Sequence, residues 1–209
     1  MTPGILIQEL QRAFEDWDGL LVNPRYCRSD NAICWTAFNG GRVRDPITSS
    51  QLLAIVEQKQ FTFQSAEDGS IFQLLYRFDN SNKLLEARLA FYLIRSRGSL
   101  EEGTAEIKST AWVRIDYDDA AAAGVLHSAC HLHLHGFPEA RIIVDGIPGP
   151  RQFVEFIVAA CYPNYYEIHR LDGGNSPSQE AIKKINACML AVSGGAPALL
   201  HLALPKSVP

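Results

Sequence analysis

Apolar residues at Ile5, Leu6, Leu10, Ala13, Phe14 and Trp17 recur at helical spacing and predict an amphipathic helix over residues 3–18. Thr2 and Pro3 supply a cap and a first-turn proline, and Asp18-Gly19 ends the helix. The run Ala32-Ile33-Cys34-Trp35-Thr36-Ala37-Phe38 predicts a strand stopped by Asn39-Gly40-Gly41. Thr48 or Ser49 caps a short helix carrying Leu52, Leu53 and Val56.

An antiparallel meander follows. Phe61 to Gln64 reads as a strand, Asp68-Gly69 as a hairpin turn, and Ser70 to Phe78 as the returning strand. Asp79-Asn80-Ser81-Asn82 turns the chain again into a long strand, Lys83 to Ile94. Residues 96–108 are polar and contain two glycines, which predicts an exposed loop. Strands are then expected at Ser109 to Asp118, Ala129 to His135 and Arg141 to Asp145, with Ala120 to Ala123 helical or loop. Gly149-Pro150 opens a helix ended by Pro163, and Ser176-Pro177 opens another ended by Gly194-Gly195. The expected fold is α+β, with one domain over residues 1–209. It is a mainly antiparallel, twisted sheet with an N-terminal helix and two C-terminal helices.

Composition narrows the setting. Hydrophobic residues make up 47% of the 209 residues and charged residues 20%, a globular balance. The formal net charge of −4 gives no global positive field toward nucleic acid or anionic lipid, so any nucleic-acid contact needs a local basic patch. The five cysteines, Cys27, Cys34, Cys130, Cys161 and Cys188, are odd in number and form no CxxC pair, which argues against a disulfide framework or a cysteine zinc site. Cys161 and Cys188 lie in apolar helical patterns and are expected in the core. With no secretory leader and no apolar run of membrane-spanning length, a cytoplasmic location without membrane contact is expected.

The concentrated chemistry is His131-Leu132-His133-Leu134-His135. Alternate residues of a strand share a face, so three imidazoles point one way, spaced by roughly 7 Å, while Leu132 and Leu134 pack inward. A neutral-pH titration suits histidine to general acid and base work. Alternatively, His131 and His133 can ligate one metal ion; His135 is excluded from the same ion because the outer pair lies about 13 Å apart along a strand. The same row also suits a solvated sheet face. Trp112, Arg114, Asp116 and Asp118 share one face of the preceding strand. If the two strands are neighbours, Asp116 can orient an imidazole, Asp116 or Asp118 can join a metal with His131 and His133, and Arg114 can hold a phosphate or carboxylate. The alternative for Arg114 and Asp118 is a surface ion pair and a turn. Pairing across Gly136 to Glu139 is expected to set Leu134 opposite Ile142 and Leu132 opposite Val144. That register brings Arg141 to the histidine face as a second anion contact.

The runs Arg114-Ile115-Asp116-Tyr117-Asp118, His131 to Gly136, Arg141 to Pro150 and Phe153 to Pro163 resemble the bacterial domain-of-unknown-function family 2290. The Asp68-Gly69-Ser70 meander fits it too, and the resemblance covers most of the chain. It implies no activity. A weaker likeness is to TumE-type toxins of toxin–antitoxin pairs, small α+β proteins with an aromatic-Asp strand before a histidine cluster. Tyr117-Asp118 and His131 to His135 stand in comparable order here, at different spacing. That likeness implies a reaction class, RNA cleavage, and a bacterial defence setting, without transferring catalytic roles.

Three readings result. The first is a histidine-dependent nuclease-like enzyme, a ribonuclease or phosphoryl-transfer enzyme of a defence or toxin–antitoxin system. In it His133 is central, His131 and His135 flank it, Arg114 and Arg141 contact an anion, and Asp116 orients. The second is an enzyme with one divalent metal on His131 and His133; the third is a non-enzymatic subunit binding a protein partner encoded nearby. His127 is a loop residue or a further ligand, His169-Arg170 a strand edge or a base-stacking cluster with Tyr165-Tyr166, and His201 packing. No dinucleotide fingerprint, P-loop, nucleophile elbow, zincin or calcium-loop pattern is present.

Overall fold

The computed structural model describes residues 2–29, 31–35, 48–97, 106–120 and 129–170. The element order is α1 (Pro3–Asp16), β1 (Leu21–Val22), β2 (Cys27–Ser29), β3 (Ala32–Cys34), α2 (Ser49–Glu57), β4 (Phe63–Ser65), β5 (Ile71–Phe78), β6 (Leu84–Arg97), β7 (Glu106–Asp118), β8 (Cys130–Leu134), β9 (Phe137–Ile143), α3 (Pro150–Cys161) and α4 (Pro163–Arg170). The fold is α+β. One antiparallel sheet runs in the order β1-β4-β5-β6-β7-β8-β9, and the β2–β3 hairpin joins it through β5.

Period-two alternation gives the two sheet faces different jobs. Phe72, Leu74, Tyr76 and Phe78 of β5, Ala87, Leu89 and Phe91 of β6, Ile115 of β7, Leu132 of β8 and Ile142 of β9 form the main core. Leu6, Leu10, Ala13 and Trp17 pack on them from α1 and its C-terminal cap, and Phe153, Val154, Ile157 and Val158 from α3. Arg151 Nε donates to Asp16 Oδ2 at 2.5 Å, tying the two helices together. Trp17 stacks on Tyr166 of α4, ring centroids 5.6 Å apart. The opposite face carries a second cluster, in which Leu52 and Ile55 of α2 cover Ile71, Ala90, Tyr92, Ile94 and Trp112. A third, smaller cluster joins Cys34, Trp35 and Leu75.

The helix starts fall where their sequences predict, although Thr2 stands at the N-cap of α1 without a side-chain cap hydrogen bond. Pro3 occupies the first turn of α1, Thr48 caps α2 by accepting from Gln51 N–H at 3.2 Å, and Gly149-Pro150 opens α3. Gly149 also lies against the Glu9 carboxylate of α1, which would have to shift to admit a Cβ there.

Several boundaries differ from the expectations. β6 and β7 extend as a paired ribbon, Arg95 opposite Lys108 and Arg97 opposite Glu106, so the polar segment expected as a loop is partly strand. Polar side chains do not hinder a ladder whose bonds are all backbone. β9 starts at Phe137, because Gly136 at φ +86° lets the chain reverse at once. Pro163 ends α3 as expected but also starts α4, so His169-Arg170 is helical and not a strand edge. Cys161, expected in the core, is the last residue of α3 and is exposed. The strands β1 and β2 lack a two-fold pattern long enough to read. The predicted helix after Ser176, and residues Cys188, His127 and His201, lie outside the described residues. Among the described residues no helix is long and apolar enough to cross a membrane.

Candidate functional site

The β7–β8 ladder sets Arg114 opposite His133, Ile115 opposite Leu132 and Asp116 opposite His131. The strand 109–118 and the histidine strand are therefore neighbours, as the orienting role of Asp116 requires. Leu132 is buried in the main core, and His131 and His133 face the other side. On β6, Arg88 pairs with Asp116 and Ala90 with Arg114. The polar row Arg88, Arg114, Asp116, His131 and His133 thus crosses three strands between the cluster under α2 and that of Cys34, Trp35 and Leu75.

Asp116 is the hub. Its Oδ2 accepts from Arg114 Nε at 2.8 Å, and its Oδ1 accepts from Arg88 Nε at 3.2 Å. His133 Nε2 lies 3.4 Å from the same Oδ2. Burial alone would raise the Asp116 pKa, but hydrogen bonding from His133 and the charges of Arg114 and Arg88 outweigh it and hold the carboxyl at about 2. Asp116 is therefore an anion at any physiological pH. The row sets two guanidinium groups against the Asp116 carboxylate in a chain of net charge −4.

His133 is buried at 6% exposure, and so is Arg114 at 7%. The second ring nitrogen of His133, Nδ1, is buried with no hydrogen-bond partner among the described residues. A buried polar atom left so costs about 1–3 kcal/mol, which is ordinarily avoided in purely structural positions. The His131 and His133 rings stand edge to face, centroids 4.7 Å apart, closer than the roughly 7 Å between alternate Cα atoms of a strand. Ligand atoms of Asp116, His131 and His133 all lie within 4.8 Å of one another.

The remaining predicted residues have other surroundings or contacts. His135 is exposed and stands edge-on to Trp112 at 6.0 Å. Arg114 also lies over the Trp112 ring, 5.9 Å from its centroid. Arg141 is exposed on the edge strand β9. The β8–β9 register differs from the expectation: Leu132 pairs with Ile142 and Leu134 with Phe137. At Leu132 the displacement is two residues, which preserves the faces, so Ile142 remains in the core and Ile143 sits opposite His131. Asp118 takes the turn reading, its Oδ1 accepting from Ala120 N–H at 3.0 Å. His169 stacks on Tyr165 at 4.1 Å, one helical turn apart on α4.

Arg88 is the member that sequence reasoning missed. It sits in a long strand whose alternation places it on the polar face, but only the β6–β7 register brings it to Asp116.

One family model, described as Uncharacterized conserved protein (DUF2290), matches residues 23–193. No curated protein and no solved structure matches the chain.

Proposed function

The chain belongs to the DUF2290 family, whose description names no activity, and from the site itself we propose an enzyme that transfers or hydrolyses phosphate esters. The observation that carries this reading is the pair of arginines converging on Asp116 beside two histidines. Arginine on a rigid strand is suited to phosphate oxygens. The carboxylate they share fixes their position and orients His133.

In this reading one imidazole takes the proton of the attacking hydroxyl or water as the new oxygen–phosphorus bond forms. The other gives a proton to the leaving oxygen as its bond to phosphorus breaks. Arg88 and Arg114 offset the charge on the non-bridging oxygens. Nucleic acid is the proposed polymer, and the likeness to TumE-type toxins is what suggests RNA and a defence or toxin–antitoxin setting. His135 with Trp112, and Arg141 on β9, would be peripheral contacts to the chain on either side.

The test is cleavage of a bis-aryl phosphodiester and of single-stranded RNA by the full chain, with His133→Gln beside wild type. A loss of about 10²–10⁴-fold in kcat with an unchanged thermal midpoint is expected. Equal rates in the two proteins would remove His133 from the chemistry.

A further inference from the structure

The distance between His133 Nε2 and Asp116 Oδ2 is 3.4 Å. A well-formed N–H···O bond is shorter, about 2.9 Å. Two ligands of a tetrahedral zinc-type ion with bonds of about 2.0–2.1 Å are separated by roughly 3.3–3.4 Å. The observed spacing, long for the hydrogen bond between the two groups, also suits two ligands of one ion. His131 supplies the third donor. It is opposite Asp116 on the ladder and two residues from His133 on the same face. All three ligand atoms are within 4.8 Å, so modest side-chain rotation closes the set. The 4.7 Å ring separation shows the two imidazoles already converging, which an evenly spaced row of histidines would not do.

We infer that Asp116, His131 and His133 form a binding site for a single divalent transition-metal ion. Two imidazoles and one carboxylate select a borderline ion such as zinc, cobalt or nickel over magnesium or calcium, which prefer all-oxygen sites. Arg88 and Arg114 oppose any cation by charge, and this deepens the selectivity. An ion held mainly by oxygen and electrostatics is excluded, whereas one bound through nitrogen donors gains enough to overcome the repulsion. The same arginines hold the carboxylate in place, as outer partners of metal ligands do. Three protein ligands leave a fourth position for water, the arrangement of catalytic and not structural sites.

The inference rests on the phosphate-ester reading for its substrate only. With an ion bound, His131 and His133 would serve as its ligands, and the ion would supply a more acidic water for the proton transfers that the imidazoles make without it. His135 is outside the set, since its ring is engaged with Trp112.

The experiment uses the full chain stripped with chelator and titrated with cobalt(II), then with zinc(II) in competition. The expected result is one cobalt per chain, with visible absorption bands of a low-coordinate nitrogen–oxygen site, displaced by zinc. His131→Ala, at a half-buried position, should weaken binding by about 10–100-fold, and Asp116→Asn likewise, while His169→Ala leaves it unchanged. Wild-type protein that develops no visible bands at one equivalent overturns the inference, as does binding that His131→Ala leaves intact. Phosphodiester cleavage that persists in chelator would overturn the metal site's part in catalysis while leaving the acid–base reading standing. Absence of both cleavage and phosphate binding in metal-loaded protein would overturn the phosphate reading and leave the metal site standing.

Discussion

His133 Nε2 lies 3.4 Å from Asp116 Oδ2, although across the ladder Asp116 is paired with His131 and His133 with Arg114. The contact is diagonal. Asp116 turns toward the position two residues along β8, where Arg114 Nε meets it as well at 2.8 Å. A residue whose carboxylate serves Arg88, Arg114 and His133 together is a keystone of the face, and its loss is expected to be felt in stability before chemistry.

Asp116→Asn leaves two mostly buried guanidinium groups without their shared anion. Breaking such a pair from one side costs about 3–5 kcal/mol, and a chain of this size should lose roughly 6–20 °C in thermal midpoint. Adding Arg114→Met to Asp116→Asn should recover part of the loss, because the stranded charge goes with it. A double-mutant cycle by calorimetry measures this. Strict additivity would mean that the two groups do not interact.

Arg88 and Arg114 are expected to act together on an oxyanion. Inorganic phosphate, followed by calorimetric titration, should bind about 10–100-fold more weakly to Arg88→Gln and to Arg114→Gln than to wild type. Arg77→Gln is the control: its side chain is 53% exposed and pairs with Glu86, away from the histidines. Equal weakening in all three would reduce the effect to long-range charge.

Glu9 gives a dependence on pH remote from the site. Desolvation raises its pKa above 4.5, outweighing the opposing charges of Arg151 and Arg12. The folded chain therefore holds this proton more tightly than the unfolded chain. That contribution is full below the unfolded value and is lost as pH rises through the folded one. Glu9→Gln should raise the thermal midpoint at pH 7 and change it little at pH 4. A midpoint lowered at pH 7 would show that the carboxylate is stabilised at the N-terminus of α3 despite its burial.

The thiols should separate by accessibility. Burial pushes Cys34 up to about 11 and Cys130 up to about 12, so at pH 8 each is thiolate in under about one molecule in 10³. Cys161 is exposed at the end of α3. Brief alkylation of native protein, read by peptide mass mapping, should mark Cys161 well before Cys34 and Cys130. Labelling of Cys130 at the rate of Cys161 would mean that the main core under β8 opens readily.

Much of this arrangement was legible because alternation is a local signal. Leu132 and Leu134 between three histidines, and Ile115 between Arg114 and Asp116, fix the faces of β7 and β8 whatever their register. The meander turns at Asp68-Gly69 and Asp79 to Asn82 were equally readable, since their side chains bond their own backbone: Ser70 N–H donates to Asp68, and Ser81 and Lys83 N–H to Asp79. What escaped depends on distant pairing. Arg88 reaches Asp116 only through the β6–β7 register, with the ladder partners 28 residues apart. The β8–β9 register escaped because apolar matching fixes parity but not the step, and Leu132 accepts Ile142 as readily as Val144. α4 escaped because a proline that ends one helix is also a favoured first residue of the next.

Strands β4 to β9 neighbour one another in space in the order in which they leave the ribosome, whereas α1 and α3 meet across some 135 residues, as the Asp16–Arg151 bond records. The polar row lies entirely within the sequential part. Its ladders join strands near one another in sequence, at small entropic cost, while the helical layer requires segments far apart in the described chain to meet. The site's scaffold is expected to assemble before α1 docks on α3. A pulse of hydrogen exchange during refolding should find amides of β6 and β7 protected before those of α1.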